Sequence, residues 1–371
     1  MRIVADENMP LVRDYFESWG ELVTLPGRSI RREDLMDTDI LLIRSITQVD
    51  QDLLSGTGIR FVGSATIGTD HLDIDELPNS SGIQWTAAPG CNAVSVAEYV
   101  VCCIAALNRK GILTGKPVRA GVIGVGNVGR RVAERLNLLG FEVFLNDPPR
   151  SENEPDFDSI PLKEMKEMDL ICLHTPLTRK GPYRSFHLID DDFLKQQKTG
   201  TVLLSAGRGD VIDFSALNQW KSKFRLNLDV WEPEPKVNTG ILEDALIATP
   251  HVAGYAIQAK WRGTRMLYEK AAGIFDKPLC EKIQPLPRPE LDFQGRQVDW
   301  REVVLSVYNP EDDTRIMKES ILESTDDIGK VFDALRKNYR TRHEFDYPVI
   351  RNAKLNQVDL NILNSLGLNI Q

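Results

Sequence analysis

The sequence predicts an α/β protein with two parallel-sheet domains, followed by a small α+β domain at the C-terminal end. Short apolar runs alternate with segments of helical spacing through the first three quarters of the chain, which is typical of parallel strands joined by crossover helices. A glycine-rich turn near the middle of the chain separates a predicted strand from a predicted helix. After Lys277 prolines become frequent and mark a linker. We therefore expect two Rossmann-like or flavodoxin-like sheets and a smaller third element.

In the first domain, short apolar runs predict buried strands at residues 2–5, 40–43 and 59–63, with a helix at residues 11–19. Residues 44–45 and 64–71 follow the second and third of these strands. Open α/β sheets bind ligands at the carboxyl ends of their strands. Polar residues in these two loops are therefore candidate ligand contacts.

A helix predicted at residues 93–108 leads into the second sheet. The predicted elements of this second unit are strands at residues 119–123, 141–146, 170–174, 201–205, 226–228 and 247–249, with a helix at 127–139. A further helix is predicted at residues 256–275, after the last of these strands, and is expected to return to the first domain. In the tail, residues 281–371, the pattern predicts strands at 298–307 and 343–350 and helices at 319–337 and 356–366. The tail has no cofactor motif, so we expect an oligomerisation module, with a contribution to an active site as the alternative.

Charge and hydropathy exclude several classes of partner. A net charge of -9 and a pI near 5.3 imply no broad basic surface, so we expect no nucleic-acid partner. The longest apolar stretch, residues 93–107, contains Glu98 and is too short to cross a bilayer. Asp6 and Glu7 lie where a signal peptide needs an apolar run. With five cysteines in no metal or disulfide spacing, these features predict a cytoplasmic protein without membrane association.

The glycine-rich turn has the spacing of a dinucleotide-binding fingerprint. Gly124 permits the tight turn, Gly126 lets the backbone approach a pyrophosphate, and Gly129 lets the helix pack closely on the strand. Asp147 ends the next strand, where a carboxylate accepts from ribose hydroxyls and repels a 2′-phosphate, so NAD is favoured over NADP. Arg150 is the opposing signal, because its guanidinium could meet that phosphate. Further predicted cofactor contacts lie in the turn or at later strand ends: Asn127, Val128, Thr175 and Asp229.

Three residues at successive strand ends supply the groups that oxidation of a hydroxy acid by NAD requires. His251 can take the hydroxyl proton near neutral pH, and Glu234 can pair with its second ring nitrogen. Arg208 can bind the substrate carboxylate and polarise the reacting oxygen. Each residue alone also fits an ordinary surface or capping role, but the combination favours catalysis. His174, at another strand end, is expected to be structural.

The chain resembles the D-isomer-specific 2-hydroxyacid dehydrogenases over about residues 1–280. The shared motifs are the glycine turn with Asp147, Arg208-Gly209, residues 229–235 and Pro250-His251-x-Ala253-Gly254. In that family an arginine, a glutamate and a histidine have the roles given above, and the matching positions are Arg208, Glu234 and His251. Glu232 competes with Glu234 for the carboxylate role.

Residues 6–10, 62–71 and 87–93 narrow the resemblance to members that act in pyridoxal 5′-phosphate biosynthesis. These oxidise 4-phospho-D-erythronate to (R)-3-hydroxy-2-oxo-4-phosphooxybutanoate and are homodimers through the tail. The resemblance implies substrate contacts at Ser45, Thr66 and Tyr255, and NAD contacts at Ala206, Gly207, Arg208 and Gly254. It also implies a discontinuous substrate-binding (lid) domain of residues 1–92 and 251–280, an NAD-binding Rossmann domain of residues 93–250, and a dimerisation domain of residues 281–371.

The phosphate of such a substrate needs a cationic site, and Arg44 at a strand end is the first choice. We also hypothesise that Arg340, Arg342 and His343 reach an active site, either their own or that of a partner subunit, although a solvated surface run is the simpler interpretation. Two other functions stay open. One is a sibling dehydrogenase acting on 3-phosphoglycerate or glycerate. The other is an NAD-sensing, corepressor-like binding protein, since fold alone does not decide function.

Overall fold

The computed structural model describes residues 1–73, 82–114, 117–281, 283 and 286–371, so Pro285 of the predicted linker lies outside the described residues. Within them the chain forms fourteen strands: β1 (Arg2–Asp6), β2 (Glu21–Leu25), β3 (Ile40–Ile43), β4 (Phe61–Ser64), β5 (Gln84–Thr86), β6 (Arg119–Ile123), β7 (Glu142–Asn146), β8 (Leu170–Leu173), β9 (Thr201–Ser205), β10 (Phe224–Leu228), β11 (Ile247–Ala248), β12 (Glu290–Asp292), β13 (Val349–Arg351) and β14 (Asn369–Ile370). The same residues form thirteen α-helices: α1 (Val12–Phe16), α2 (Gln51–Leu54), α3 (Ala93–Arg109), α4 (Gly129–Leu138), α5 (Pro148–Asn153), α6 (Asp191–Gln196), α7 (Phe214–Trp220), α8 (Thr239–Asp244), α9 (Ile257–Phe275), α10 (Trp300–Val307), α11 (Pro310–Leu322), α12 (Ile328–Lys337) and α13 (Gln357–Leu366).

Residues 1–92 and 257–287 form one compact unit around a parallel sheet of order β2-β1-β3-β4-β5. This is the strand order of flavodoxin-like folds, and its topological switch point lies between β1 and β3. Phe16 of the first helical segment packs with Leu267 and Tyr268 of α9 against one face of the sheet. The sequence pattern did not predict β2 and β5, because both are edge strands whose side chains are only partly buried.

Residues 93–256 and 288–371 form the second unit, built on a parallel sheet of order β11-β10-β9-β8-β6-β7. The order reverses between β6 and β8, so the loops after these two strands form the expected ligand crevice. β8 and β9 are buried along their whole length, as central strands covered on both faces should be. The predicted α/β class with two parallel sheets is confirmed.

The C-terminal residues add a three-stranded parallel sheet of order β12-β13-β14 and the helices α10 to α13. Trp300, Val303 and Val304 of α10 belong to the same hydrophobic cluster as the buried residues of α3 and β6. The tail therefore shares a core with the second sheet.

Two predictions in the tail are wrong. Residues 298–307 were expected to be a strand, yet they form α10, whose N-cap Asp299 accepts a hydrogen bond from the N–H of Glu302 at 2.9 Å. The β-branched pair Val303 and Val304 suggested a strand, but burial against α3 outweighs that weak local preference. Residues 343–350 were also expected to be a strand, and only the short β13 forms there. The helix expected at 319–337 is divided between α11 and α12.

Two further features of the described residues concern the length of the helices and the state of the cysteines. No helix in the described part of the chain is both long and apolar enough to cross a bilayer. None of the five cysteines, all of which lie in the described residues, forms a disulfide, and four of them are buried. Burial raises the pKa of Cys102 and Cys103 inside α3, so both stay protonated and behave as apolar core residues.

Candidate active site

The glycine loop, residues 124–129, joins β6 to α4 at the switch point of the second sheet. Gly124 has a φ of 84°, and a Cβ added there would lie 2.7 Å from the backbone nitrogen of Thr175, so only glycine fits. A Cβ at Gly129 would lie 1.9 Å from the carbonyl oxygen of Gly124, whereas a Cβ at Gly126 would meet open space. These surroundings fit a tight turn, close helix packing and an approach to a pyrophosphate at the start of α4.

Asp147 is fixed beside the glycine loop at the end of β7. Its Oδ2 accepts from the N–H of Val125 at 2.7 Å, and its Oδ1 accepts from the N–H of Arg150 at 3.2 Å. The Arg150 guanidinium donates to the carbonyl of Val125 at 2.7 Å and pairs with Glu154, whose Oε1 lies 2.9 Å from its Nε. Because Arg150 already has a carboxylate partner, the arrangement favours a ribose diol over a 2′-phosphate at Asp147.

We expect Asp147→Ala to reduce the preference for NADH over NADPH by about tenfold or more, since a hydrogen bond to a charged group contributes about 1.5–3 kcal/mol. The change removes both the acceptor for the ribose and the repulsion of a phosphate. Fluorescence titration with each reduced cofactor measures the ratio of dissociation constants. Asp156→Ala, which removes an exposed carboxylate of the same segment, is the matched control. An unchanged ratio in Asp147→Ala would remove Asp147 from the ribose site.

The histidine loop, residues 249–255, is organised by Asp229, whose side chain is 1% exposed at the end of β10. The Asp229 carboxylate accepts from the hydroxyl of Thr249 at 2.6 Å and from the N–H groups of Val252 and Ala253 at 2.7 and 3.0 Å. Burial raises the pKa of Asp229, although His251 and these hydrogen bonds act in the opposite direction. The Asp229 carboxylate thus holds the loop from inside the protein, and its predicted contact with the cofactor stays a prediction.

The backbone of His251 also depends on Asp229. The N–H of His251 donates to the carbonyl oxygen of Asp229 at 2.7 Å. His251 has a φ of 56°, a left-handed conformation that costs about 1–3 kcal/mol for a residue other than glycine. The surrounding hydrogen bonds offset that cost, and they hold the imidazole in one orientation.

Glu234 and His251 form a hydrogen-bonded pair. Glu234 Oε2 lies 2.8 Å from His251 Nδ1, and Glu234 Oε1 accepts from the N–H of Trp231 at 3.0 Å. Burial alone would raise the pKa of Glu234, but His251 and the cation of Arg336 outweigh it and lower that pKa. An ionised Glu234 makes Nδ1 the protonated nitrogen of neutral His251 and leaves Nε2 to accept a proton.

Glu232, the sequence competitor of Glu234, belongs to a second histidine pair. Its Oε1 lies 2.6 Å from Nε2 of His187, and its Oε2 accepts from the N–H of Phe214 at 3.0 Å. The ring of Phe186 stacks on His187 with a centroid distance of 3.9 Å. Sequence alone leaves the two glutamates nearly equivalent, whereas the geometry assigns Glu234 to His251.

Of the other sequence-predicted residues of the second unit, Thr175 follows β8, residues 206–208 follow β9, and Gly254 and Tyr255 lie in the histidine loop. Arg208 Nη1 donates to the carbonyl of Gly207 at 3.1 Å, and the hydroxyl of Thr175 donates to Ile123 at 3.2 Å. A Cβ at Gly207 would lie 3.0 Å from the carbonyl oxygen of Thr175, so these two strand ends touch. Burial lowers the pKa of His174 to about 3, which keeps its imidazole neutral and supports a structural role.

The tail reaches the histidine loop of its own chain through residues that sequence reasoning identified only in part. Arg342 is buried and donates to the carbonyls of Ala253 and Ser95 at 2.9 and 2.8 Å, so it supports the backbone. Arg340 pairs with Asp313, 3.3 Å away. His343 stacks on the ring of Tyr347 at a centroid distance of 5.0 Å.

Arg336 was missed. Its Nη2 donates to the phenol oxygen of Tyr255 at 3.0 Å. The only sequence signal was a basic residue near the end of a predicted helix, which does not distinguish Arg336 from Lys337 beside it.

In the first unit, Arg44 lies at the switch point of the sheet. Its Nε is 3.1 Å from Oδ2 of Asp6, so an ion pair joins the ends of β1 and β3. Ser45 beside it is exposed, and the hydroxyl of Thr66 donates to the carbonyl of Gly68 at 2.9 Å. Burial, together with the charge of Arg44, lowers the pKa of Lys260 to about 8. Arg44 and Lys260 thus lie close enough for their positive charges to repel each other, a setting suited to an anion.

Comparison with family models gives two matches. One described as "D-isomer specific 2-hydroxyacid dehydrogenase, NAD binding domain" matches residues 108–253, which include the glycine loop, Asp147, Arg208, Glu234 and His251. The other, described as "Domain of unknown function (DUF3410)", matches residues 284–367 of the tail.

Individual proteins give a narrower comparison. A protein of Coxiella burnetii named erythronate-4-phosphate dehydrogenase is 45% identical over 350 residues, which cover 93% of each chain. The protein of that name from Pseudomonas syringae is 39% identical over 379 residues, 99% of each chain. An NAD-bound 3-phosphoglycerate dehydrogenase of Entamoeba histolytica has a TM-score of 0.63 at 22% identity, covering 76% of this chain and 97% of its own. That structural likeness concerns the fold alone.

Proposed function

This chain belongs to the erythronate-4-phosphate dehydrogenase family, and we propose that it oxidises the C2 hydroxyl of 4-phospho-D-erythronate with NAD in pyridoxal 5′-phosphate biosynthesis. The product is (R)-3-hydroxy-2-oxo-4-phosphooxybutanoate. The observation that carries the proposal is the 2.8 Å contact between Glu234 and His251 at the strand ends of an NAD-binding fold. It supplies a general base of fixed orientation.

NAD, when bound, accepts the hydride that leaves C2 of the substrate. The hydroxyl proton goes to Nε2 of His251 as the carbon–oxygen double bond forms, so two electrons and one proton leave with the hydride and one proton stays on the imidazole. Glu234 stabilises the resulting imidazolium through Nδ1. In the reverse direction His251 returns the same proton to the oxygen.

Arg208 is the proposed partner of the C1 carboxylate. A guanidinium can bind a carboxylate in a bidentate way and also polarise the neighbouring reacting oxygen. Tyr255, Ser45 and Thr66 remain proposed substrate contacts. For the cofactor, the proposed contacts of the second unit are the glycine loop with Asn127 and Val128, together with Asp147, Thr175, residues 206–208, Asp229 and Gly254.

Arg44 is the proposed ligand of the substrate phosphate, and Lys260 is the proposed second cation that binds the same phosphate. Burial, and secondarily the positive charge of Arg44, lowers the pKa of Lys260 to about 8, and an anion bound between the two side chains would offset their repulsion. Neither residue belongs to the proton-transfer pair of Glu234 and His251, so we expect both to affect the binding of substrate and not the transfer of the proton.

We expect the KM for phosphorylated substrate to rise as pH increases through about 8, because Lys260 is protonated below its pKa and neutral above it. Lys260→Met should raise the KM at pH 7 by about tenfold, the usual effect of losing a hydrogen bond to a charged group. The KM of this variant should also increase less steeply with pH. Lys270→Met, an exposed lysine of the same helix, is the control. A KM that is the same in Lys260→Met and in the unchanged protein would exclude Lys260 from the phosphate site.

The test of the function is turnover of the purified protein on 4-phospho-D-erythronate and 3-phosphoglycerate side by side. Both assays contain NAD and a 2-oxo acid acceptor, so that tightly held NADH can be reoxidised. A higher kcat/KM for phosphoerythronate supports the proposal. A higher kcat/KM for 3-phosphoglycerate would mean that the proposed substrate is wrong and the proposed chemistry is right. Tight NAD binding without turnover of either substrate would favour a cofactor-sensing protein.

We also propose that the protein is a cytoplasmic homodimer associated through its tail. Cysteines that form no disulfide in the described part of the chain fit a reducing compartment. Ile316, Leu322 and Val358 are exposed apolar side chains on α11 and α13, which suits a surface that a second copy covers. Sedimentation velocity measures the mass directly, and a monomer at micromolar concentration would contradict the proposed dimer.

A further inference from the structure

Helix α12 lies against both segments that carry the proton-transfer pair. Near its start, a Cβ at Gly329 would be 3.2 Å from Cγ of Pro235, the residue after Glu234. Near its end, Arg336 donates to the phenol of Tyr255, four residues after His251. The helix belongs to the region of unknown function, yet it forms one wall of the candidate active site.

Arg336 is a half-buried cation in an aromatic setting. Its guanidinium carbon lies 5.7 Å from the ring centroid of Tyr255 and 5.9 Å from that of Phe332. Its Nε is buried and has no hydrogen-bond partner among the described residues. Burial would lower the pKa of Arg336, but Tyr255 and Glu234 raise it on balance. A buried hydrogen-bond donor without an acceptor destabilises the fold, so the presence of Arg336 at this position calls for a functional explanation.

We propose that Arg336 is a positioning residue of the dehydrogenase, holding the Tyr255 phenol for the substrate and supplying positive charge that keeps Glu234 ionised. The inference rests on the proposed function, because it deepens the role of the same site. Under this proposal, the tail contributes to catalysis in the active site of its own chain.

Packing alone does not require a charge at this position. Phe332 is fully buried, and Tyr339 already packs edge-on against Tyr255 with a centroid distance of 5.7 Å. Apolar contacts therefore attach α12 without a guanidinium. What Arg336 adds is a donor to the phenol and a cation close to Glu234.

The test is a double-mutant cycle on kcat/KM with Arg336→Met, Tyr255→Phe and the combined variant. Arg336→Met should raise the KM for the hydroxy acid by about tenfold and leave the Kd for NADH unchanged. In the Tyr255→Phe background the same change should lower kcat/KM much less, because the phenol hydroxyl that Arg336 contacts is absent. Arg336→Lys keeps the charge and should recover part of the loss. Lys337→Met, the neighbouring exposed cation, should have no effect.

A pH profile separates positioning from simple stabilisation of the fold. The charged groups facing Glu234 are His251 from the histidine loop and Arg336 from α12, and the N–H of Trp231 completes its contacts. Without Arg336, Glu234 is easier to protonate, so the acid limb of kcat/KM should move to higher pH in Arg336→Met and stay in place in Arg336→Lys. Losses that add fully in the cycle, or an unmoved acid limb, would overturn the inference.

The cycle is run on whichever 2-hydroxy acid the unchanged protein oxidises best. Failure to oxidise phosphoerythronate then counts against the proposed substrate alone. Additivity on the preferred substrate counts against Arg336 alone.

Discussion

Replacement of His251 by alanine should lower kcat by about 10²–10⁴-fold, the usual effect of removing a general base, while affinity for NADH stays unchanged. The imidazole takes the hydroxyl proton in the step that releases the hydride, and Glu234, 2.8 Å from its Nδ1, stabilises the imidazolium that results. Stopped-flow measurement of the first turnover isolates that step from cofactor release.

The chain offers a matched control in its second histidine–glutamate pair. His187 contacts Glu232 at 2.6 Å, a geometry close to that of His251 with Glu234. His187→Ala should leave kcat near that of the unchanged protein, because this pair is not part of the proposed chemistry. Equal losses in the two alanine variants would mean that disruption of the fold, and not loss of a base, explains the result. Full activity in His251→Ala would mean that the proton acceptor is a different residue.

Asp229→Ala should reduce the free energy of unfolding by about 3 kcal/mol, because each buried donor left unpaired costs about 1–3 kcal/mol. The variant leaves the N–H groups of Val252 and Ala253 without their acceptor inside the protein. It should also lower kcat by about 100-fold, since a small displacement of a catalytic group has an effect of that size. Urea denaturation and steady-state kinetics on the same samples measure both quantities.

Asp213→Ala provides the comparison for Asp229→Ala. Asp213 also accepts two backbone N–H bonds, but at the start of α7, where the donors can turn to water. Its loss should cost about 1 kcal/mol of stability, as for an ordinary helix cap, without a change in kcat. If Asp229→Ala behaves like Asp213→Ala in both measurements, the histidine loop does not depend on its buried carboxylate.

The central strands of the two large sheets could be predicted from the sequence because they are short, buried apolar runs. Ile40–Ile43 and Leu170–Leu173 have no other stable environment than the centre of a covered parallel sheet. The glycine loop was equally predictable, since steric limits at Gly124 and Gly129 leave no alternative residue. Where backbone geometry permits only one residue type, the pattern is informative on its own.

Other parts depend on tertiary contacts that no local pattern contains. Val303 and Val304 favour a strand locally, yet packing on α3 makes them helical. Glu232 and Glu234 differ by two positions and have similar neighbours, so only the path of the chain decides which one meets His251. Arg336 is similar: its side chain reaches Tyr255 because α12 packs beside Pro235, and helical spacing alone does not reveal that partner.

The shared core of α3 and α10 has a consequence for the order of events during synthesis. A ribosome releases the chain from its N-terminus, so α3 emerges long before the α10 residues that cover it. Until α10 has been released, the nascent second unit exposes an apolar helix face. Its cofactor half therefore completes folding only after α10 has been synthesised, and chains that stop short of α10 should be targets for chaperones and proteases.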